Sequence, residues 1–222
     1  LTLGRGRQRQ RGIRDSGKGA LGAVTGSGAV GGSVAIGRDA LLALTTGESH
    51  VAIGEGASYT ITTGNNCVAI GKIALKMNTG NDNTAVGHQT LQANTTGAGN
   101  VAIGRDALYT QTTANYNIAV GYNALYACTT GDSNNCIGYQ AGTAITTGTN
   151  NTYIGLSAGQ ANTESSGNTA VGYQALQTHD STSGEGYHYN TAIGGKAMHD
   201  ADTTYSGTAV GYQAMELSLI TI

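Results

Sequence analysis

The sequence predicts an all-β protein, a parallel β-solenoid (β-roll) of about eleven coils of 17 residues each. Three observations predict this fold. A short phrase centred on a glycine recurs at a nearly constant interval, the residues around that glycine alternate as in a β-strand, and the rest of each unit is rich in turn-forming residues. A unit this short cannot enclose a core alone, so neighbouring units must stack.

The repeated phrase is clearest at residues 168–176, which read Asn-Thr-Ala-Val-Gly-Tyr-Gln-Ala-Leu. Its central residue is called the motif glycine below. Of the ten intervals between successive motif glycines, eight are 17 residues, one is 16 and one is 22. The motif glycines are Gly37, Gly54, Gly71, Gly87, Gly104, Gly121, Gly138, Gly155, Gly172, Gly194 and Gly211.

The residues just before the motif glycine have the alternation of a β-strand. The preceding residue is Ile or Val in every copy, and the residue three before the glycine is Val, Thr or Ile in ten copies. These two columns share one strand face, and the column between them, Ala in nine of eleven copies, lies on the other. The Ala face must be covered by a second layer of the same coil or by another copy of the chain. We predict the second of these.

The remainder of each unit is predicted to consist of turns. Six copies carry an adjacent Thr pair such as Thr95 and Thr96, and an Asn often stands four residues before the motif glycine. Gly and Asn accept positive φ, and Asn side chains bond to nearby backbone. An Asn column can also form a ladder of hydrogen bonds between coils. We therefore predict two short strands and two tight turns per unit.

Composition excludes several protein classes. The 222 residues include 36 Gly and 12 Tyr but no Pro, Phe or Trp, and helical periodicity is absent. No apolar stretch is long enough to span a membrane, so membrane insertion is not expected. Cys67, Cys128 and Cys136 fall in three different columns and form no CxxC pair, so neither zinc nor a disulfide framework is indicated.

Charge divides the chain into two regions. Residues 1–18 hold six of the eleven basic residues and one acid, whereas residues 19–222 have five basic and twelve acidic residues. We predict a basic N-terminal arm, or a join to an upstream domain, followed by the repeat domain. The arm has no aromatic residue, and no second basic patch follows it, so nucleic acid is not an expected partner.

The 22-residue interval between Gly172 and Gly194 predicts an inserted loop near residues 178–189. Solenoids place insertions on their surface, often on a binding face. The candidate receptor contacts are His179, Tyr187, His188 and Tyr189. A loop without a ligand is the alternative, and the spacing of His179, Asp180, Glu185 and His188 does not match a metal site. Tyrosines just after the motif glycine, such as Tyr122 and Tyr139, are predicted to cover the coil and stack on one another.

Two segments match the sequence pattern of an enzyme motif, but neither has the structural context that the motif requires. Residues 26–31 match the spacing of a dinucleotide-binding loop but lead into a strand rather than a helix. Residues 155–159 match a hydrolase nucleophile elbow, but Ser157 occupies a column held by Gln in other copies. No acid, base or nucleophile recurs or clusters. We expect no catalytic residue and no cofactor.

With its Thr-Thr-Gly turns, the phrase at 168–176 resembles repeats in phage tail-fibre proteins and large bacterial surface proteins. It is also similar to the head repeat of trimeric autotransporter adhesins, in which Val-Ala-Ile-Gly recurs, as at residues 34–37 and 101–104. The resemblance covers about residues 33–215. It implies a left-handed parallel β-roll, three chains side by side, and exposure on a virion or cell surface for attachment.

The predicted function is a non-enzymatic structural shaft of a trimeric virus tail fibre or surface adhesin. Its expected partners are two further copies of the chain and a host surface receptor, for which a glycan is one class. The alternative is a monomeric ice-binding β-solenoid, because Thr columns on a flat face can order water. A trimer in solution favours the shaft, and thermal hysteresis in a freezing assay favours the alternative.

Overall fold

A computed structural model describes residues 14–22, 31–178, 188–201, 206–215 and 217–218. Its elements are fourteen short β-strands, and no helix occurs in these described residues. The strands are β1 (Arg14–Ser16), β2 (Val34–Ile36), β3 (Val51–Ile53), β4 (Val68–Ile70), β5 (Thr84–Val86), β6 (Val101–Ile103), β7 (Ile118–Val120), β8 (Asn135–Ile137), β9 (Thr152–Ile154), β10 (Thr169–Val171), β11 (Thr191–Ile193), β12 (Asp200–Ala201), β13 (Thr208–Val210) and β14 (Leu217–Ser218).

Twelve of these strands form one parallel sheet in the order β1 to β11 and then β13. Each strand pairs with the same part of the phrase in the next coil, as Ala102 does with Ala119. The predicted β-solenoid with about 17 residues per coil is therefore confirmed. The first strand begins at Arg14, within the segment 1–18 that was assigned to the basic arm.

The prediction of two strands per coil is wrong for most of the described chain. Each coil has one three-residue strand, and a second sheet occurs only as the pair β12 and β14. The rest of each coil still bonds to its neighbour through the backbone, as when the Leu108 N–H donates to the Ala124 carbonyl at 3.1 Å. Left-handed residues interrupt this side of the coil, so it does not become an extended strand.

The Ala column faces the interior of the solenoid, which contradicts the prediction that another copy of the chain covers it. Ala35, Ala102 and Ala170 are fully buried within a single chain. The opposite wall of the coil supplies a second Ala column and a Leu column, represented by Ala107 and Leu108. These side chains fill the narrow interior, so only small side chains fit in the first Ala column. The second layer of the same coil therefore covers the Ala column, and the Ile and Val columns face outward.

Four backbone positions in each coil take positive φ, and these positions turn the chain back on itself. They are the motif glycine and the residues five before, two after and four after it. At Gly121, φ is 138°, and an added Cβ would approach the Gly138 carbonyl oxygen to 2.3 Å. Glycine is needed there both for its conformation and for the close approach of the next coil.

Leucine occupies the position four after the motif glycine in several coils, although Leu rarely takes positive φ. Leu108 has φ of 51° and is fully buried. The cost of this conformation is on the order of 1 kcal/mol, and burying a Leu side chain stabilises by about 2 kcal/mol. Packing therefore outweighs backbone preference at this position.

The predicted Asn ladder is present inside the solenoid, where seven fully buried Asn side chains occupy the position four before the motif glycine. The Asn117 N–H donates to Asn100 Oδ1 at 2.9 Å, and the Asn117 amide donates to the Gly131 carbonyl at 2.8 Å. Asn117 Oδ1 in turn accepts the Asn134 N–H at 2.8 Å, so the Asn117 side chain bonds the next coil at two places. The ladder comprises Asn83, Asn100, Asn117, Asn134, Asn151, Asn168 and Asn190.

Candidate functional site

The outward face of strands β2 to β11 and β13 carries two rows of mainly apolar residues. Its first row is the residue before the motif glycine, and Ile36, Ile103 and Ile193 in this row have about 40% of their surface exposed. Its second row is the residue three before the glycine. This row is Val or Ile in most strands from β2 to β7 and Thr in β9, β10, β11 and β13. The two rows are called the aliphatic face below.

An ionic row borders the N-terminal part of the aliphatic face, in the column just after the motif glycine. Arg38 forms an ion pair with Glu55, and Lys72 Nζ lies 3.6 Å from the other carboxylate oxygen of Glu55. The hydrogen bond from Arg38, followed by the charges of Arg38 and Lys72, lowers the pKa of Glu55. All three side chains are well exposed, so the row contributes little to stability.

An aromatic row continues the same column towards the C-terminus. The Tyr122 and Tyr139 rings are stacked with centroids 5.3 Å apart, and the Arg105 guanidinium lies 5.9 Å from the Tyr122 centroid. The prediction that these tyrosines stack on one another is confirmed for this pair. Leu156, Tyr173 and Tyr212 extend the exposed row. The column thus changes from charged to aromatic along the solenoid.

Two of the four predicted receptor contacts, His179 and Tyr187, lie outside the described residues. His188 is buried, and its backbone N–H donates to the Ser166 carbonyl at 3.0 Å. Tyr189 is exposed and has φ of 48°; its ring covers Gly167, where an added Cβ would lie 2.8 Å from Tyr189 Cδ1. Of the two described residues, Tyr189 alone presents its side chain to solvent. A receptor contact there remains a prediction.

The serine of the elbow-like motif and the three cysteines are enclosed. Ser157 is buried in a turn, in a left-handed conformation with φ of 54°. Cys67, Cys128 and Cys136 are buried and unpaired. Burial raises the pKa of Cys128 to about 12 and also raises the pKa values of Cys67 and Cys136. Raised thiol pKa values leave little thiolate for chemistry. Among the described residues, no group of His, Cys, Asp and Glu could hold a metal ion.

The two residues of each Thr pair differ in their surroundings. In five of the six pairs the first Thr donates its hydroxyl to the next coil, as Thr95 does to the Thr112 carbonyl at 2.9 Å. The second Thr is exposed, as at Thr96 and Thr147. The turns therefore present one exposed Thr per pair rather than two.

No helix of the described residues has the length and apolar character that crossing a bilayer requires. Comparisons with protein-family models, with curated proteins and with solved structures found no match. Function is therefore inferred from the surface chemistry of the chain and from its repeated sequence.

Sequence reasoning identified the columns of the surface but assigned the wrong column to the exterior. The available signal was the pair of residues after the motif glycine that supply Ala and then Leu, as in Ala124 and Leu125. These residues provide an inner wall against which only a small side chain such as Ala119 fits. A second layer supplied by the same coil could have been inferred from that pattern.

Proposed function

We propose that the chain is a non-enzymatic structural shaft of a trimeric tail fibre or surface adhesin, and that its copies associate through the aliphatic face. The observation that carries the proposal is the outward row of Ile and Val that continues from β2 to β13. Soluble monomers rarely leave long contiguous apolar surfaces open to water. The aliphatic face, and not the buried Ala column, is the contact between chains.

The dimensions of the aliphatic face suit an interface between chains. Parallel strands lie about 4.8 Å apart, so the eleven strands of the aliphatic face extend roughly 50 Å. From the residue three before the motif glycine to the residue after it, five residues at about 3.3 Å each make the face roughly 15 Å wide, which gives on the order of 800 Å². This is the area that one partner buries in a standard interface.

The number of chains and the biological setting are supported by the repeat sequence. The phrases at residues 34–37 and 168–176 resemble those of phage fibres and trimeric adhesins. We therefore place the shaft on a virion or cell surface, where it supports or contributes to attachment to a host receptor, with a glycan as one receptor class. Tyr189 is the described residue best placed to contribute, because it is exposed near the insertion.

The experiment that tests the proposal is the mass of the purified chain in solution. Sedimentation equilibrium at micromolar concentration should give three times 22.4 kDa, about 67 kDa. The double variant Ile137→Lys/Ile154→Lys places two charges on the aliphatic face and should give a folded monomer. Thr147→Lys places a charge on an exposed turn instead and should leave the trimer intact. A wild-type monomer with unchanged circular dichroism would contradict the proposal.

An ice-binding role is the alternative, and one observation favours it. Strands β9, β10, β11 and β13 begin with Thr and end with Ile or Val on the same outward face. A flat regular array of hydroxyl and methyl groups can order water. Thermal hysteresis of the purified chain measures this directly. Its presence in a monomer would favour the alternative over the shaft.

A further inference from the structure

His50 occupies a place in the internal ladder that Asn holds in seven later coils. The first three described positions of this column are Ser33, His50 and Cys67, and the Asn residues begin at Asn83. All of these side chains are buried. Uncharged amides therefore form the column from Asn83 to Asn190, whereas its N-terminal part contains one titratable imidazole.

The His50 ring makes the same two bonds as an Asn side chain. Nδ1 accepts the backbone N–H of Cys67 at 3.4 Å, and Nε2 lies 2.6 Å from the Gly64 carbonyl oxygen, to which it must donate. This arrangement requires the neutral ring with its proton on Nε2. A second proton would be added at Nδ1, where it would meet the Cys67 N–H, so that two donors would face each other.

Among the described residues, no charged side chain lies where it would stabilise a protonated His50 ring. In the preceding coil, Ser33 Oγ accepts the His50 N–H at 3.1 Å. In the following coil, the titratable residue that contacts the His50 ring is Cys67, whose thiol is neutral because burial raises its pKa. Of the acids near His50 in the chain, Glu48 and Asp82 are exposed. Glu55 lies at the surface, where it pairs with Arg38 and Lys72. Burial is the largest influence on His50 and lowers its pKa, in agreement with this geometry.

We propose that His50 makes the N-terminal coils of the solenoid, residues 34–66, an acid-labile segment that opens while the coils of the Asn ladder stay closed. A solenoid allows such local opening because each coil contacts only its neighbours. The closed segment binds no proton at His50, whereas the opened segment does. The closed form of this segment is therefore most stable above the ordinary His pKa of about 6.5, and it loses stability as the pH falls through that value.

Hydrogen exchange of the full chain, read by mass spectrometry at pH 7 and pH 5 and corrected for the intrinsic rate, tests the proposal. Protection of residues 34–66 should fall by up to about 25-fold, the effect of one proton bound with the ordinary His pKa. Protection of residues 118–171, which lie in the Asn-ladder coils, should fall much less. Equal loss in both segments, or no loss in residues 34–66, would overturn the proposal.

The His50→Asn variant restores the amide of the later coils and is expected to fold. Its residues 34–66 should keep their protection at pH 5. His88→Gln, which changes a histidine outside the ladder, should behave as the wild type. Nitrogen-15 chemical shifts of the His50 ring should show the proton on Nε2 at pH 7. A proton on Nδ1, or the same acid loss in His50→Asn, would refute the mechanism.

Discussion

The ring of Tyr153 fills the space that Gly159 leaves empty, since a Cβ at Gly159 would lie 2.4 Å from the Tyr153 Cδ2 and Cε2 atoms. Tyr153 stands in the Ala column, and Gly159 stands in the column that Leu holds in most coils. A large residue has thus exchanged places with a small one. The Tyr153 hydroxyl is also satisfied inside the solenoid, because it donates to Asn151 Oδ1 at 3.2 Å and accepts from the Asn162 amide.

This exchange predicts a compensating pair of substitutions. Tyr153→Ala should destabilise the chain by about 3 to 5 kcal/mol, because it opens a cavity and removes the hydroxyl that accepts from the Asn162 amide. Tyr153→Ala combined with Gly159→Leu restores the pattern of the other coils and should recover part of that loss. Denaturation in guanidinium chloride measures both effects. Additive destabilisation by Gly159→Leu would show that the two residues do not share one space.

The motif glycine should tolerate no side chain. Gly121→Ala would place a Cβ 2.3 Å from the Gly138 carbonyl oxygen and would force Ala into φ of 138°. We expect a loss of about 3 kcal/mol or more in the free energy of unfolding, measured by denaturation. Gly31→Ala is the matched control, because an added Cβ there meets no atom within 4 Å. Similar losses in the two variants would contradict the close approach of coils at Gly121.

The Asn ladder should stabilise by satisfying buried backbone groups. Asn134→Ala would leave the Asn151 N–H and the Gly148 carbonyl without the bonds they make at 3.1 and 2.8 Å. We expect a loss of roughly 2 to 4 kcal/mol and faster amide exchange of Asn151 than of residues two coils away. Thr147→Ala, at an exposed turn residue, should cost under about 1 kcal/mol. Unchanged exchange at Asn151 would argue against the ladder.

The buried thiols should be inert until the chain unfolds. Iodoacetamide at pH 8 should label none of Cys67, Cys128 and Cys136 in the folded chain and all three in denaturant. Because burial raises the pKa of Cys128 to about 12, the opened state loses its proton first as the pH rises above the ordinary value of 9. Stability should therefore fall between pH 9 and pH 12. Rapid labelling of the folded chain would contradict the burial.

The stacking of coils was predictable from the sequence, because a short constant period requires identical units to pack on one another. The interval between motif glycines fixes which residues pair, and Ala102 does lie beside Ala119. The Asn ladder was predictable for the same reason, since a single polar residue type in a column must find its partners along that column. Each of these inferences used the period alone.

The direction in which the strand faces was harder to predict, because alternation defines two faces without identifying the inner one. Both Ala119 and Val120 are apolar, and only the volume available inside the coil decides which points inward. The number of strands per coil was missed because residues such as Leu108 take a left-handed conformation that Leu seldom adopts. Tertiary packing imposes this conformation, and local sequence gives no sign of it.

The register of the sheet is the same whether 17 or 22 residues separate the paired positions. Thr169 pairs with Thr191 across 22 residues and Thr152 pairs with Thr169 across 17, yet the Asn168 and Asn190 link is made at 3.0 Å like the others. The segment between Thr178 and His188 is therefore a natural place to graft a foreign epitope. Because the strands on either side keep their register, such a graft should leave the pairing of Thr169 with Thr191 unchanged.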